Sequence, residues 1–180
     1  MSITKQKQQT AYLALAETFG YTSPMQSPRI QKVIVSSGVG KKRDKKQLET
    51  IEDRLAKITG QKPSPRSARL SIASFKVREG DTVGLQITMR GARMYDFLDK
   101  LIHIAFPRTR DFRGLSAKAI DDMGNLTIGI REHTIFPETS DEDLKDVFGF
   151  AVTIVTTAKS KSEAEAFLRH IGVPLIVDKD

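Results

Sequence analysis

Neither cysteine nor tryptophan occurs in these 180 residues. The missing cysteine removes disulfides, thiolate nucleophiles and cysteine-ligated zinc together, and leaves a reducing, cytoplasmic setting as the natural expectation. Long apolar runs are missing too. No stretch approaches the roughly 18 residues of a membrane span, and the polar start, residues 1–9, lacks the apolar core of a secretory signal. Histidine is scarce: His103, His133 and His170 stand far apart, without the helical pairing or neighbouring acids that would complete a metal site. The acids Asp141, Glu142 and Asp143 follow Pro137, where a helix is expected to begin and acids suit a first turn. No serine or threonine has an evident base and orienting acid, and no carboxylate pair stands out by spacing for acid–base chemistry. These absences leave an enzyme, a cofactor and a bound metal without support.

What the chain does have is segregated charge. Its net charge is +7, and hydrophobic residues make up 39% of it, enough for a real core. Residues 29–78 carry fourteen Lys and Arg against four Asp and Glu, a net +10, whereas residues 138–180 carry five against nine, a net −4. A solvated surface mixes its signs, while a polyanion site concentrates one, so the front half reads as a nucleic-acid surface and the acidic end as a surface for protein partners. At this length a single domain over 1–180 is expected, with its basic part at 29–113.

Helical and strand periodicities alternate along the chain without an internal repeat. Met94, Phe97, Leu98, Leu101, Ile102 and Ala105 fall at helical steps and predict a helix over 93–106 stopped by Pro107. Leu48, Ile51, Leu55 and Ile58 predict another over 45–59, with Asp44 as N-cap and Gly60 at the left-handed C-terminal position. A third follows the capping box Ser160 to Glu163 and ends at Gly172, and an amino-terminal helix is expected around 11–19. Strands are expected at 29–37, 73–78, 83–90, 125–130 and 150–157, the second and third forming a hairpin around Glu79, Gly80 and Asp81. In the third, Leu85, Ile87 and Met89 share one face and Gln86, Thr88 and Arg90 the other. The pattern specifies an α+β fold: a largely antiparallel sheet with helices packed on one face and an open polar, basic face for RNA.

Two stretches carry candidate chemistry. The run Ser36, Ser37, Gly38, Val39, Gly40, Lys41, Lys42 resembles a phosphate loop but fails on spacing, because Val35 stands where the first glycine belongs and Lys42 where a Ser or Thr belongs. Its glycines suit a strand leaving the sheet, and its lysines are left to meet phosphates. From Lys62 to Arg78 the chain interleaves Lys62, Arg66, Arg69, Lys76 and Arg78 with Ser64, Ser67, Ser71 and Ser74, and carries no acid. Hydroxyls that reach phosphate and ribose oxygens, together with arginines that pair bidentately with phosphate, are the chemistry of RNA backbone contact. Arg108, Arg110 and Arg113, interrupted by Asp111 and Phe112, form a second cluster. Ser37, Arg90 and Arg93 complete the expected RNA-binding set.

Six blocks in order then resemble a known family. They are Ile-Thr-Gly-Gln-Lys-Pro at 58–63, Phe-Lys-Val-Arg-Glu-Gly at 75–80 and Arg-Gly-Ala-Arg-Met-Tyr-Asp-Phe-Leu-Asp at 90–99. They continue with Pro-Arg-Thr-Arg-Asp-Phe-Arg-Gly-Leu at 107–115, Gly-Ile-Arg-Glu at 129–132 with Ile-Phe-Pro-Glu at 135–138, and Ile-Val-Thr-Thr-Ala at 154–158. The chain thus resembles, nearly end to end, the family of the fifth protein of the bacterial large ribosomal subunit. The resemblance implies binding of 5S ribosomal RNA in the central protuberance, beside other 5S-binding proteins and the 23S RNA. It also implies a bridge to a small-subunit head protein and contact with the peptidyl-site transfer RNA, placed here in the loop Arg78, Glu79, Gly80, Asp81 and Thr82. In the family, RNA is held by one sheet face through positions matching Ser36, Gln61 and Thr88; Ser36 departs from the asparagine the family typically carries, offering one donor where an amide offers two.

Overall fold

A computed structural model describes residues 2–40, 45–139 and 147–176. Helix α1 (Ile3–Phe19) is followed by strand β1 (Ile30–Gly38), helix α2 (Lys45–Thr59) and strands β2 (Ser64–Ser67) and β3 (Thr82–Met89). Helix α3 (Ala92–Lys100) continues through a π-helical turn, Leu101–Ala105, into the last turn α4 (Phe106–Arg108). Strands β4 (Leu126–Ile130) and β5 (Phe150–Thr156) and helix α5 (Lys161–Ile171) complete the order. The five strands form one antiparallel sheet in the order β2-β3-β1-β5-β4, which bears out the α+β class.

The chain divides into two compact units. One takes its described residues from Met1–Val33, Met89–Ile128 and Thr153–Asp180. In it α1 packs against α3 and α5, and Ala11, Leu15, Phe97, Leu98, Phe167 and Leu168 are all buried. Each large apolar side chain so removed from water contributes about 1.5–3 kcal/mol. Only Thr4, Ala11 and Leu15 of α1 are buried, a stripe too thin to announce the whole helix. It therefore starts well before the expected residue 11, helped by the Asp99 carboxylate, which accepts from the N–H groups of Ile3 and Thr4 at 2.9 Å each. Half of the expected capping box of α5 forms: Ser160 Oγ accepts from the Glu163 N–H at 3.3 Å, while the Glu163 carboxylate reaches past the cap residue to accept from the Lys159 N–H and from the Tyr21 hydroxyl. Burial and the adjacent carboxylate push the Tyr21 phenol far above its usual range. Gly172 closes α5 at φ 108°.

The other unit takes its described residues from Ile34–Thr88 and Gly129–Val152. Ile51, Leu55 and Ile58 of α2 are buried as the periodicity required, as are Leu85 and Ile87 of β3. The rings of His133 and Phe148 stack 4.3 Å apart, and Phe136 and Phe148 each lean on Phe150. Helix α2 has the expected bounds and ends at Gly60, φ 69°; its proposed cap Asp44 lies outside the described residues, as do Lys41, Lys42, Asp141, Glu142 and Asp143.

Two expectations are corrected. The strand expected at 73–78 is a 3-10 turn, Ala73–Phe75, beside an isolated bridge between Ile72 and Val77. The partner of β3 is instead β2, in the register Ser64 to Gln86, Pro65 to Leu85 and Arg66 to Gly84, so the expected tight hairpin is a longer excursion. Nor does Pro107 stop the long helix. The preceding turn widens so that the Phe106 N–H reaches the Leu101 carbonyl, and Pro107, which has no donor to lose, sits inside the final turn before Thr109.

Candidate nucleic-acid interface

Strand alternation sorts the candidate residues of the second unit by face. On β3, Leu85 and Ile87 point into the core at 4% and 1% exposure, which turns Gly84, Gln86 and Thr88 outward. On β1, Val35 is buried and Ser36 half-buried on the opposite side. The β2 register puts Ser64 and Arg66 on the face of Gln86 and Gly84, because paired residues share a face. The result is a small polar platform of Ser36, Ser64, Arg66, Gln86 and Thr88. Arg66 is held there by its Nε, which donates to Gln86 Oε1 at 2.6 Å. A Cβ added to Gly84 would stand 3.2 Å from the Ser37 carbonyl, so this glycine keeps the platform low between Arg66 and β1.

Gln61 reaches the platform from its margin. The left-handed Gly60 ends α2 and turns the chain, and the Gln61 amide then donates to the Thr88 carbonyl at 3.4 Å. Ser36, Gln61 and Thr88 therefore sit in one unit on connected elements. Ser37 does not join them, and its grouping with Ser36 is corrected. It is 4% exposed on the core side, with its hydroxyl donating to the Gly149 carbonyl at 2.9 Å, as the two-residue period of a strand dictates.

Around the platform, Lys62, Ser67, Arg69, Ser71, Lys76 and Arg78 are exposed. Lys62 lies 3.4 Å from Glu52, a surface pair of little energetic weight that leaves the ammonium accessible. Ser71 Oγ accepts from the Glu79 N–H and Asp81 Oδ2 from the Arg78 N–H, both at 2.9 Å, which fixes the turn through Glu79, Gly80 and Asp81 ahead of Thr82. Gly80 takes φ 90° in that turn.

The remaining candidates belong to the first unit. Arg90 and Arg93 are exposed at the entry to α3, and Arg108, Arg110 and Arg113 around the loop that follows α4. That loop is braced: Phe112 stacks on Phe106 at 5.2 Å and 6°, and Leu115 exchanges backbone hydrogen bonds with Pro174 and Ile176. Gly114, φ 100°, leaves no room for a side chain against Ile176. Gln86 was not among the expected contacts, and Ser64 was expected only as one of the hydroxyls of the 62–78 stretch, not on a sheet face. The alternation that exposed Thr88 also exposed Gln86, whereas Ser64 becomes part of the platform only through a strand pairing that local sequence does not announce. Among the described residues no cluster of potential ligands could hold a metal ion, and no helix is long and apolar enough to cross a membrane.

A basic α+β chain with this platform has its matches among structural, non-enzymatic proteins of the large ribosomal subunit. The family model for the C-terminus of the ribosomal L5 family matches residues 82–175, and that described as ribosomal protein L5 matches residues 23–78. The chain is 49% identical over 162 residues to the large ribosomal subunit protein uL5 of Rubrobacter xylanophilus, covering 89% of this chain and 90% of that one. It is 46% identical over 161 residues to uL5 of Anaeromyxobacter sp. (strain K), 89% of each, and 46% identical over 170 residues to uL5 of Mycoplasma pneumoniae, 94% of each. The chain belongs to the ribosomal protein L5 family. Its place is with the ribosome, in the cytoplasm, and its role there is structural.

Proposed function

We propose that this chain binds 5S ribosomal RNA in the central protuberance of the large subunit, through the platform of Ser36, Thr88 and Gln61, with surrounding cations neutralising phosphates. The supporting observation is that platform itself: small polar side chains turned outward on a sheet beside exposed Lys62, Arg66, Arg69, Lys76 and Arg78. RNA helices present 2′-hydroxyls and phosphates in a shallow minor groove, which short hydroxyl and amide groups can reach. Ser67, Ser71, Arg90, Arg93, Arg108, Arg110 and Arg113 extend the cationic and hydroxyl contacts to 5S and 23S RNA. The loop Arg78 to Thr82 is assigned to the peptidyl-site transfer RNA, and the acidic segment 138–180 to protein partners. Those partners are the neighbouring 5S-binding proteins and a small-subunit head protein that completes an intersubunit bridge.

Filter binding of 5S RNA with transfer RNA as competitor, at several salt concentrations, tests the reading. Affinity is expected to survive the competitor and to fall on the order of a thousandfold between 50 and 200 mM salt if about six phosphates are engaged. Thr88→Ala should weaken 5S binding severalfold while sparing unrelated RNA, and Arg66→Ala should weaken both and flatten the salt slope. Equal losses from Thr88→Ala on both RNAs would remove the platform from specific recognition.

A further inference from the structure

Arg66 is exposed on the edge strand β2, and its aim is set from three sides. Pro65 fixes the backbone φ just before it, and the register of β2 on β3 breaks between Arg66 and Ser67 just after it. An irregularity of that kind re-aims the side chain beside it. Directly across the ladder stands Gly84, which offers no side chain to lean on. The guanidinium crosses instead on the diagonal to the next outward residue of β3, where its Nε donates to Gln86 Oε1 at 2.6 Å.

An exposed hydrogen bond between two side chains adds little to stability. Its consequence here is geometric. A guanidinium is a planar fork that meets an oxyanion with two parallel bonds, either along its Nε side or at its Nη1–Nη2 end. With Nε given to Gln86, the side is engaged and the end is left for a ligand. The partner is also uncharged. Among the described residues Arg66 takes part in no ion pair, so an amide orients it while it keeps its full charge. A carboxylate in the place of Gln86 would orient it and cancel it.

We propose that Gln86 is a positioning residue, which holds the Arg66 guanidinium so that its Nη1–Nη2 end stands ready as a two-bond fork for one RNA phosphate. The proposal rests on the RNA-binding reading above and adds to it a cation whose geometry is set before RNA arrives. A preset fork loses less freedom on binding than an untethered side chain, so removing the tether weakens binding without removing the charge.

The test uses the full chain, 5S RNA and Gln86→Met, which keeps a long unbranched side chain and removes its acceptor. A thermal melt checks that the fold is unchanged. In filter binding Gln86→Met should be on the order of fivefold weaker than wild type. In an Arg66→Ala background the same substitution should cost nothing, since no guanidinium is left to orient. Nitrogen-15 NMR of the arginine side chains adds a direct readout. The Arg66 Nε–H should exchange with water more slowly in wild type than in Gln86→Met, and on adding RNA to wild type the Nη protons should shift while the Nε–H stays in place. Equal losses from Gln86→Met with and without Arg66 overturn the proposal and make Gln86 an RNA contact of its own. Undiminished affinity in Gln86→Met, with wild type still binding RNA, also overturns it and leaves the RNA-binding reading standing. A response to RNA at the Nε–H instead of the Nη protons overturns the end-on fork. Failure of wild type to bind 5S RNA overturns both readings.

Discussion

The carboxylate of Asp99 reaches from α3 to the first turn of α1, where it accepts from the backbone of Ile3 and Thr4. Burial alone would raise this carboxyl, but hydrogen bonds from the Ser2 and Thr4 side chains and the Thr4 and Ile3 N–H groups outweigh it and hold the group below its usual value. A carboxyl depressed on folding adds stability above its unfolded value, near pH 4, and loses it as pH falls through the folded one. Asp99→Ala is therefore expected to cost about 1–2 kcal/mol near neutral pH, as loss of a helix cap does. The gap to wild type should close in acid. Denaturant titrations at neutral and strongly acidic pH check this, and a gap that stays constant would show that Asp99 acts through packing alone. Single residues of the candidate interface were legible where a strand's two-residue period governs them: Thr88 stands on the face its alternation gave. The same period turns Ser37 away from Ser36, so their grouping went against a rule the sequence already contained. Gln61 could not be placed by period, since its approach to Thr88 depends on the chain reversal at Gly60 and on β3 arriving from later in the sequence.

Among elements, α2 and α5 declared themselves through apolar stripes and, in α5, through a capping box. Strand β2 did not. Ser-Pro-Arg-Ser has no preference for extended structure, and these residues form a strand because β3 pairs with them. The stretch 73–78, with Phe75 and Val77, has the composition of a strand but curls into a turn, since the sheet position beside β3 is taken. Two glycines give a matched test of how strands β4 and β5 approach each other. At Gly149 a Cβ would stand 2.9 Å from the Ile130 carbonyl and 3.1 Å from that of Arg131, both backbone atoms; at Gly129 nothing lies within 4 Å. Gly149→Ala should destabilise the protein by about 1–3 kcal/mol. Gly129→Ala should be neutral or mildly stabilising, because alanine loses less conformational freedom on folding. Chemical denaturation compares the two, and equal effects would mean that the strand pair yields without cost.

For the whole molecule, the chain passes between its two compact units at Val33–Ile34, Thr88–Met89, Ile128–Gly129 and Val152–Thr153. Each crossing lies within or at the end of a strand. We propose that units threaded together in this way unfold as one domain. All three tyrosines, Tyr12, Tyr21 and Tyr95, lie in the first unit, so tyrosine fluorescence reports that unit alone while far-ultraviolet circular dichroism reports both. Coincident urea transitions are expected from the two probes, and separated midpoints would show two independently melting units. The edge strand β2 has a consequence for the time before assembly. To an incoming strand it offers four exposed residues, with no N–H at Pro65 and a cation at Arg66. Copies meeting edge to edge at this side find only a short, interrupted and charged template, which disfavours extension of the sheet and helps newly made protein stay apart ahead of assembly.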